Sequence, residues 1–160
     1  MADRGRDFES FFHDEHRRLF AALGMVTGNR SDAEELTQDA FLKLWERWDR
    51  IGEIDDPTAF LYRTAMNLFR NRYRRARVAL KNVILARPAP DAFATVDDRD
   101  LLVRALREVT PRERAAIVLT AFLGYTSEEA GEMLGMKAPT VRVLASRARA
   151  TIRGTVGEPA

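Results

Sequence analysis

The sequence predicts an all-α fold, built as two small helical domains joined by a flexible linker, and three observations lead there. Apolar residues recur at helical spacing through most of the chain, and no stretch alternates as a half-buried strand would. Helix-start signals punctuate it repeatedly: Ser31 with Glu34, Asp56-Pro57, Thr110-Pro111 with Glu113, and Thr126 with Glu129. Near the middle, Arg87-Pro88-Ala89-Pro90-Asp91 ends helical order and reads as a linker. The boundaries that follow are a first domain over 5–87, a linker over 88–98 and a second domain over 99–155. With 160 residues in two units, each core is thin, and such units often take part of their stability from a partner.

In chain order, a first helix spans about Phe8 to Val26, with Phe8, Phe12, Leu19 and Leu23 on one face, and Thr27-Gly28-Asn29 stops it. A second opens at a capping box, Ser31 as cap and Glu34 reaching back, and shows an apolar side of Leu36, Phe41, Leu44, Trp45 and Trp48. A loop follows from Asp49 to Asp56. The third helix starts with Asp56 as cap and Pro57 at its first position, and runs to Arg77 or beyond, since Val78 to Ala86 contains no breaker. In the second half, one helix covers about Arg99 to Glu108. Another begins at Thr110 with cap, proline and capping box together and ends at Gly124. A short helix runs from Thr126 to Leu134-Gly135, and a last one from about Pro139 to Arg153. Each cap contributes about 1 kcal/mol.

Composition narrows the function classes. The chain is 46% hydrophobic and 31% charged, as a globular protein is. It contains no cysteine, which excludes disulfides, thiolate metal sites and a cysteine nucleophile and fits a cytoplasmic setting. The start of the chain is charged (Asp3, Arg4, Arg6, Asp7) rather than signal-like, and no apolar run approaches bilayer length, so no membrane insertion is expected. The short stretch after Arg153 predicts no appended control domain. The net charge of +2 hides its distribution. Pro57 to Pro90 has no acid but holds Arg63, Arg70, Arg72, Arg74, Arg75, Arg77, Lys81 and Arg87. Met136 to Gly157 is also acid-free, with Lys137, Arg142, Arg147, Arg149 and Arg153, whereas Ser31 to Asp56 is mostly acidic. This predicts two polyanion-binding surfaces and a separate surface for another partner.

Thr126 to Arg153 has the pattern of a DNA-reading helix-turn-helix. Gly131 allows close crossing, Gly135 suits a left-handed turn and Val141 faces inward, with Leu134, Met136 and Leu144 completing a small core. On the last helix Val141, Leu144, Ala145, Ala148 and Ile152 share one face, while Arg142, Ser146, Arg149 and Arg153 share another that is only positive. The third helix makes a separate case: Arg63, Asn67, Arg70, Arg74 and Arg77 form one stripe, opposite Leu61, Ala65, Leu68 and Phe69. Tyr62, Met66 and Tyr73 fall on a flank between the two. Arginines beside exposed aromatics suit stacking and tracking of single-stranded nucleic acid.

Three blocks, in order, resemble one family. Ser31 to Trp48 resembles region 2.2 of the extracytoplasmic-function (ECF) sigma factors of RNA polymerase, Phe60 to Arg75 resembles their region 2.4, and Leu106 to Arg153 resembles regions 4.1 and 4.2, including Pro-Thr-Val-Arg and Ser-Arg-Ala-Arg. The resemblance implies promoter recognition and opening on core RNA polymerase. It implies docking on the β′ clamp helices through Glu35, Gln38, Asp39, Phe41, Leu42 and Trp45. It implies single-stranded −10 reading through Phe60, Tyr62, Arg63, Asn67, Arg70, Asn71, Arg74 and Arg75, with Asp49 to Asp56 as the loop capturing a flipped base. It implies duplex −35 reading through Lys137, Thr140, Arg142, Ser146 and Arg147. An anti-sigma partner is typical of the family. Gly131, Ala130, Ala138-Pro139 and Val143 depart from the usual pattern, which bears on the −35 contacts.

Two other readings compete. A helix-turn-helix regulator acting without core polymerase explains Thr126 to Arg153 but neither the arginine stripe nor the acidic helix before it. A metal enzyme would have to use His13-Asp14-Glu15-His16, which lacks the glutamate placement of a metalloprotease motif. No catalytic residues, cofactor or metal are therefore expected.

Overall fold

The computed structural model describes residues 4–50, 56–80 and 104–156. The long elements are α1 (Arg4–Thr27), α2 (Arg30–Glu46), α3 (Pro57–Leu80), α4 (Pro111–Ile117), α5 (Ser127–Leu134) and α6 (Ala138–Val156). A helical turn at 104–107 precedes α4, and Val118–Phe122 continues α4 as a π-helical turn. The expected linker at 88–98 and most of the Asp49 to Asp56 loop lie outside the described residues.

In the first half α1, α2 and α3 pack together. Leu19, Leu23 and Val26 of α1, Leu36, Ala40 and Leu44 of α2, and Leu61, Ala65 and Phe69 of α3 are buried against one another. Asp56 caps α3 as its sequence predicts, accepting from the amides of Thr58 (3.0 Å) and Ala59 (3.4 Å). The start of α2 differs. Asn29, not Ser31, is the cap: it is extended and accepts from the Asp32 amide at 3.0 Å. Gly28, at φ 66, turns the chain so that Asn29 meets the first free amides, and asparagine caps as well as serine. Ser31 is then an exposed position inside α2, and Glu34 pairs with Arg30 at 3.7 Å instead of closing a box.

In the second half Thr110 accepts from the Glu113 amide (3.3 Å) and Pro111 opens α4, although the return bond of a full capping box is not made there. Arg114 donates to the Leu106 carbonyl (3.3 Å), tying the preceding turn to α4. Gly124, at φ 76, ends the π-turn. At Thr126 both bonds of the capping box form, each at 3.0 Å.

The two halves share one continuous core. α3 lies against α5, and α1 touches α4 and its π-helical continuation. This contact bears directly on the site.

Candidate nucleic-acid interface

Of the predicted stripe on α3, Arg63, Asn67 and Arg74 are exposed and Arg70 is half-exposed, while the Arg77 side chain lies outside the described residues; Asn71 and Arg75 are exposed beside it. Arg70 donates to the Asn67 side-chain oxygen at 3.4 Å, which orients both. One side of the stripe borders a cleft of about 300 Å³ lined by Phe60, Arg63, Thr64, Asn67, Leu68 and Asn71 of α3 with Lys43, Glu46 and Arg47 at the end of α2. Lys43 and Arg47 are not among the residues expected for the site. Their signal was available, since two cations four apart share a helix face even within a mostly acidic stretch. Arg72, by contrast, turns away from the stripe and pairs with Glu35 (3.0 Å) and Asp32 (3.4 Å) of α2.

The other side of α3 corrects an expectation. Tyr62 and Met66, predicted to lie on an open flank, are fully buried. Helical periodicity counts only a helix's own core, whereas here the second half covers that flank. The Tyr125 ring lies 6.0 Å from that of Tyr62, and Arg18 of α1 donates to the Leu123 carbonyl at 3.4 Å. The Tyr62 hydroxyl is buried without a hydrogen-bond partner, as is one carboxylate oxygen of Glu15. Burial, and next the Glu15 charge, pushes the Tyr62 phenol well above the ordinary tyrosine range. Burial also raises Tyr125. Further along, Arg63 pairs with Glu132 of α5 at 3.8 Å, and the Arg70 guanidinium sits against Gly135. A side chain on Gly135 would meet that guanidinium at 2.7 Å. The Arg63–Glu132 pair remains solvated, with side chains 54% and 73% exposed, so it leaves the arginine available to another anion.

The helix-turn-helix has the predicted geometry. Gly135 is left-handed (φ 65) and closes the turn, with the Met136 amide donating to the Gly131 carbonyl at 2.9 Å. A Cβ on Gly131 would stand 2.5 Å from the Met136 carbonyl oxygen, which explains why no side chain occupies that position. Val141, Ala145 and Ala148 of α6 are buried and Leu144 and Ile152 half-buried. Lys137, Thr140, Arg142, Ser146 and Arg147 are all exposed. Arg142 pairs with Glu128 at 3.4 Å, again with both side chains more than half exposed.

On the far side of the first half, Phe8, Phe12, Gln38, Phe41, Leu42 and Trp45 line an open apolar groove of about 440 Å³. Leu42 (59%) and Trp45 (42%) are exposed, while Phe41 is buried beneath them, edge-on to Phe12 at 4.8 Å. Glu35, Gln38 and Asp39 flank the groove on the exposed side of α2. His16 stacks on Phe12 (4.7 Å) and His13 faces Glu9 (3.9 Å). Among the described residues no three histidine or acidic side chains converge.

Two helical modules, one with an acid-free arginine face and one with a helix-turn-helix, have the character of a DNA-binding protein. Family models place it further: Sigma-70 region 2 matches residues 3–78 and Sigma-70 region 4 matches residues 99–152. The RNA polymerase sigma-E factor of Streptomyces coelicolor is 30% identical over 151 residues, covering 92% of this chain and 84% of its own length. The ECF RNA polymerase sigma factor SigM of Mycobacterium tuberculosis is 28% identical over 154 residues, covering 94% and 77%. The chain belongs to the sigma-70 family of RNA polymerase sigma factors, within its ECF group. In fold it resembles the sigma factor RpoE in its complex with the anti-sigma factor NepR from Bartonella quintana (TM-score 0.75, 23% identity, 94% of this chain and 97% of that one). It also resembles CnrH in complex with the cytosolic domain of CnrY (TM-score 0.63, 25% identity, 94% and 87%). No described helix is long and apolar enough to cross a membrane.

Proposed function

We propose that this sigma factor divides promoter recognition among three surfaces. The apolar groove around Leu42 and Trp45, rimmed by Glu35, Gln38 and Asp39 and supported by Phe41, docks on the β′ clamp helices of core polymerase. Exposed aliphatic and aromatic groups beside carboxylates suit a basic, partly apolar helix pair. The α3 stripe reads the −10 element as single strand, with Phe60 available for stacking, Arg63, Arg70, Arg74 and Arg75 neutralising phosphates, and Asn67 and Asn71 bonding base edges. The cleft between α2 and α3 receives an unstacked base, with Lys43 and Arg47 added to the set and the Asp49 to Asp56 loop assigned to the same capture. The outward face of α6 reads the −35 duplex through Lys137, Thr140, Arg142, Ser146 and Arg147.

The observation that carries this reading is the cleft, where the Phe60 ring, the Asn67 and Asn71 amides and three cations, Lys43, Arg47 and Arg63, converge from two helices around a single carboxylate, Glu46. Opening the −10 region costs a few kcal/mol of unpairing and unstacking, and capture of exposed bases offsets it, so selectivity and melting form one event. Tethering the two modules through core polymerase raises the effective concentration of each for its element. The protein acts in the cytoplasm, needs no cofactor and carries out no bond chemistry. A protein inhibitor of the anti-sigma class is a further partner.

Run-off transcription with purified core polymerase and a set of candidate promoters tests the proposal. Core-dependent initiation is expected. Tight binding to a duplex operator without core, and no initiation with it, would instead establish a free-standing helix-turn-helix regulator. Arg142→Ala should weaken −35 recognition, and Asn67→Ala or Arg70→Ala should impair opening. If neither class of change alters open-complex formation, the residue assignments fail.

A further inference from the structure

We infer that Val143 reads the methyl group of a thymine in the −35 duplex, and so sets base preference at one position of the element. The inference rests on the proposed −35 role of α6.

Val143 is half exposed, one of few large apolar side chains left open among the described residues. Its place on α6 is specific. At about 100° per residue it points about 160° away from buried Val141, so it faces squarely outward. Thr140 and Arg147 lie to one side of it and Ser146 and Arg142 to the other, all exposed. It also falls within the first two turns of a helix that starts at Ala138. Those turns are the part of a recognition helix that reaches base edges.

An apolar group at the centre of a cationic reading face has one partner of its own kind in a major groove. Every other base edge there presents a donor or acceptor, which valine cannot answer, and only thymine presents a methyl. Valine also suits the task because its branched side chain is nearly fixed at χ1 in a helix, so little freedom is lost on contact. The flanking arginines place the phosphates and hydrogen-bond the neighbouring bases. Val143 then adds discrimination that a serine or an asparagine there could not.

Elements are first selected from a promoter library randomised across the −35 region, using the intact chain with core polymerase. Each thymine of the selected element is then replaced by deoxyuridine, which removes the methyl and leaves the pairing edge unchanged. At one thymine the replacement should lower open-complex formation about fourfold, the ratio that burying one methyl corresponds to. Val143→Ser should respond equally to thymine and uracil there, while Val143→Thr, which keeps a methyl, should retain the preference. A selected element without thymine, uracil tolerated at every thymine, or a uracil effect that persists in Val143→Ser would each overturn the inference. Sequence-dependent initiation would survive those outcomes. If no promoter supports core-dependent initiation, the sigma reading itself fails, and this inference with it.

Discussion

Gly131→Ala is the sharpest test of how the recognition module is assembled. Substituting alanine for glycine inside a helix ordinarily stabilises it by about 1 kcal/mol. Here the added Cβ would stand 2.5 Å from the Met136 carbonyl oxygen and 3.5 Å from the Ala138 nitrogen, and both are backbone atoms. Neither can swing aside as a side chain would. Retreat of Met136 would stretch its own amide bond to the Gly131 carbonyl, now 2.9 Å, and tilt the start of α6. Overpacking of this kind costs about 1–3 kcal/mol. Taking its upper range, the propensity gain is outweighed and a net loss of about 1–2 kcal/mol remains. Both tryptophans lie on the first half, at Trp45 and Trp48, so their fluorescence is the wrong probe. Hydrogen exchange of α5 and α6 amides in the full chain is the right one, supported by urea unfolding followed by circular dichroism. Protection of those amides should fall roughly tenfold and −35 binding should weaken as α6 shifts. Unchanged or increased protection would refute the close crossing of α5 and α6.

Further expectations follow from individual residues. Tyr62→Phe removes a buried hydroxyl that has no partner, and should stabilise the chain by about 1 kcal/mol in urea at pH 8. Burial raises the Tyr62 and Tyr125 phenols, so the folded state retains their protons where the unfolded state loses them. That stability is whole below about pH 10 and declines as pH rises above it. The decline should be smaller in Tyr62→Phe, measured by urea midpoints from pH 8 to 11. Leu42→Ser, at an exposed position, should change the free energy of unfolding in urea by less than about 0.5 kcal/mol. It should nonetheless weaken core-polymerase binding about tenfold or more in a competition assay. Arg142→Ala breaks only an exposed pair with Glu128 and should leave stability nearly unchanged, while reducing −35 affinity by about 1–3 kcal/mol. Arg74→Ala, by contrast, should lower affinity for all sequences alike and reduce the salt dependence by about one ion.

What could be read from the chain, and what could not, divides by the range of the interaction. Asp56-Pro57, the Thr126–Glu129 box and the Gly131–Gly135 turn are local devices, fixed by groups a few residues apart, and each stands as the sequence predicts. The cap of α2 was a choice between neighbours of equal chemistry, and the left-handed Gly28 decided it for Asn29. The π-turn after α4 was not legible: it depends on the Leu123 amide reaching back to Val118 (3.0 Å), and no residue type marks that choice. Burial of Tyr62 and Met66 depends on the second half folding back across α3, which leaves no period in either segment. The cleft was half legible, since α3 announced its side and Lys43 and Arg47 were obscured by the acidic surroundings of α2.

The fold-back of the second half does not treat the proposed −10 surface uniformly. On α3 the cleft residues Phe60, Thr64, Asn67 and Asn71 lie on the side away from α5, whereas Tyr62, Met66 and Arg70 lie toward it. A base can therefore occupy the cleft while the halves remain together, but Tyr62 contributes nothing until they part. The contact is not built to resist parting. Its Arg63–Glu132 pair is solvated and stabilises by about 1 kcal/mol at most. It also leaves the Tyr62 hydroxyl and a Glu15 oxygen buried and unpaired, each costing about 1–3 kcal/mol. What holds it is apolar burial around Tyr62, Met66 and Leu134, with the Arg18 bond to the Leu123 carbonyl. Binding that fixes the two modules at promoter spacing must offset those terms, and releasing two unpaired polar groups to water assists it. Of the proposed −10 set, Tyr62 is buried by the contact and Arg63, Arg70 and Arg74 border it, whereas Phe60, Asn67 and Asn71 line the cleft and are open in this arrangement.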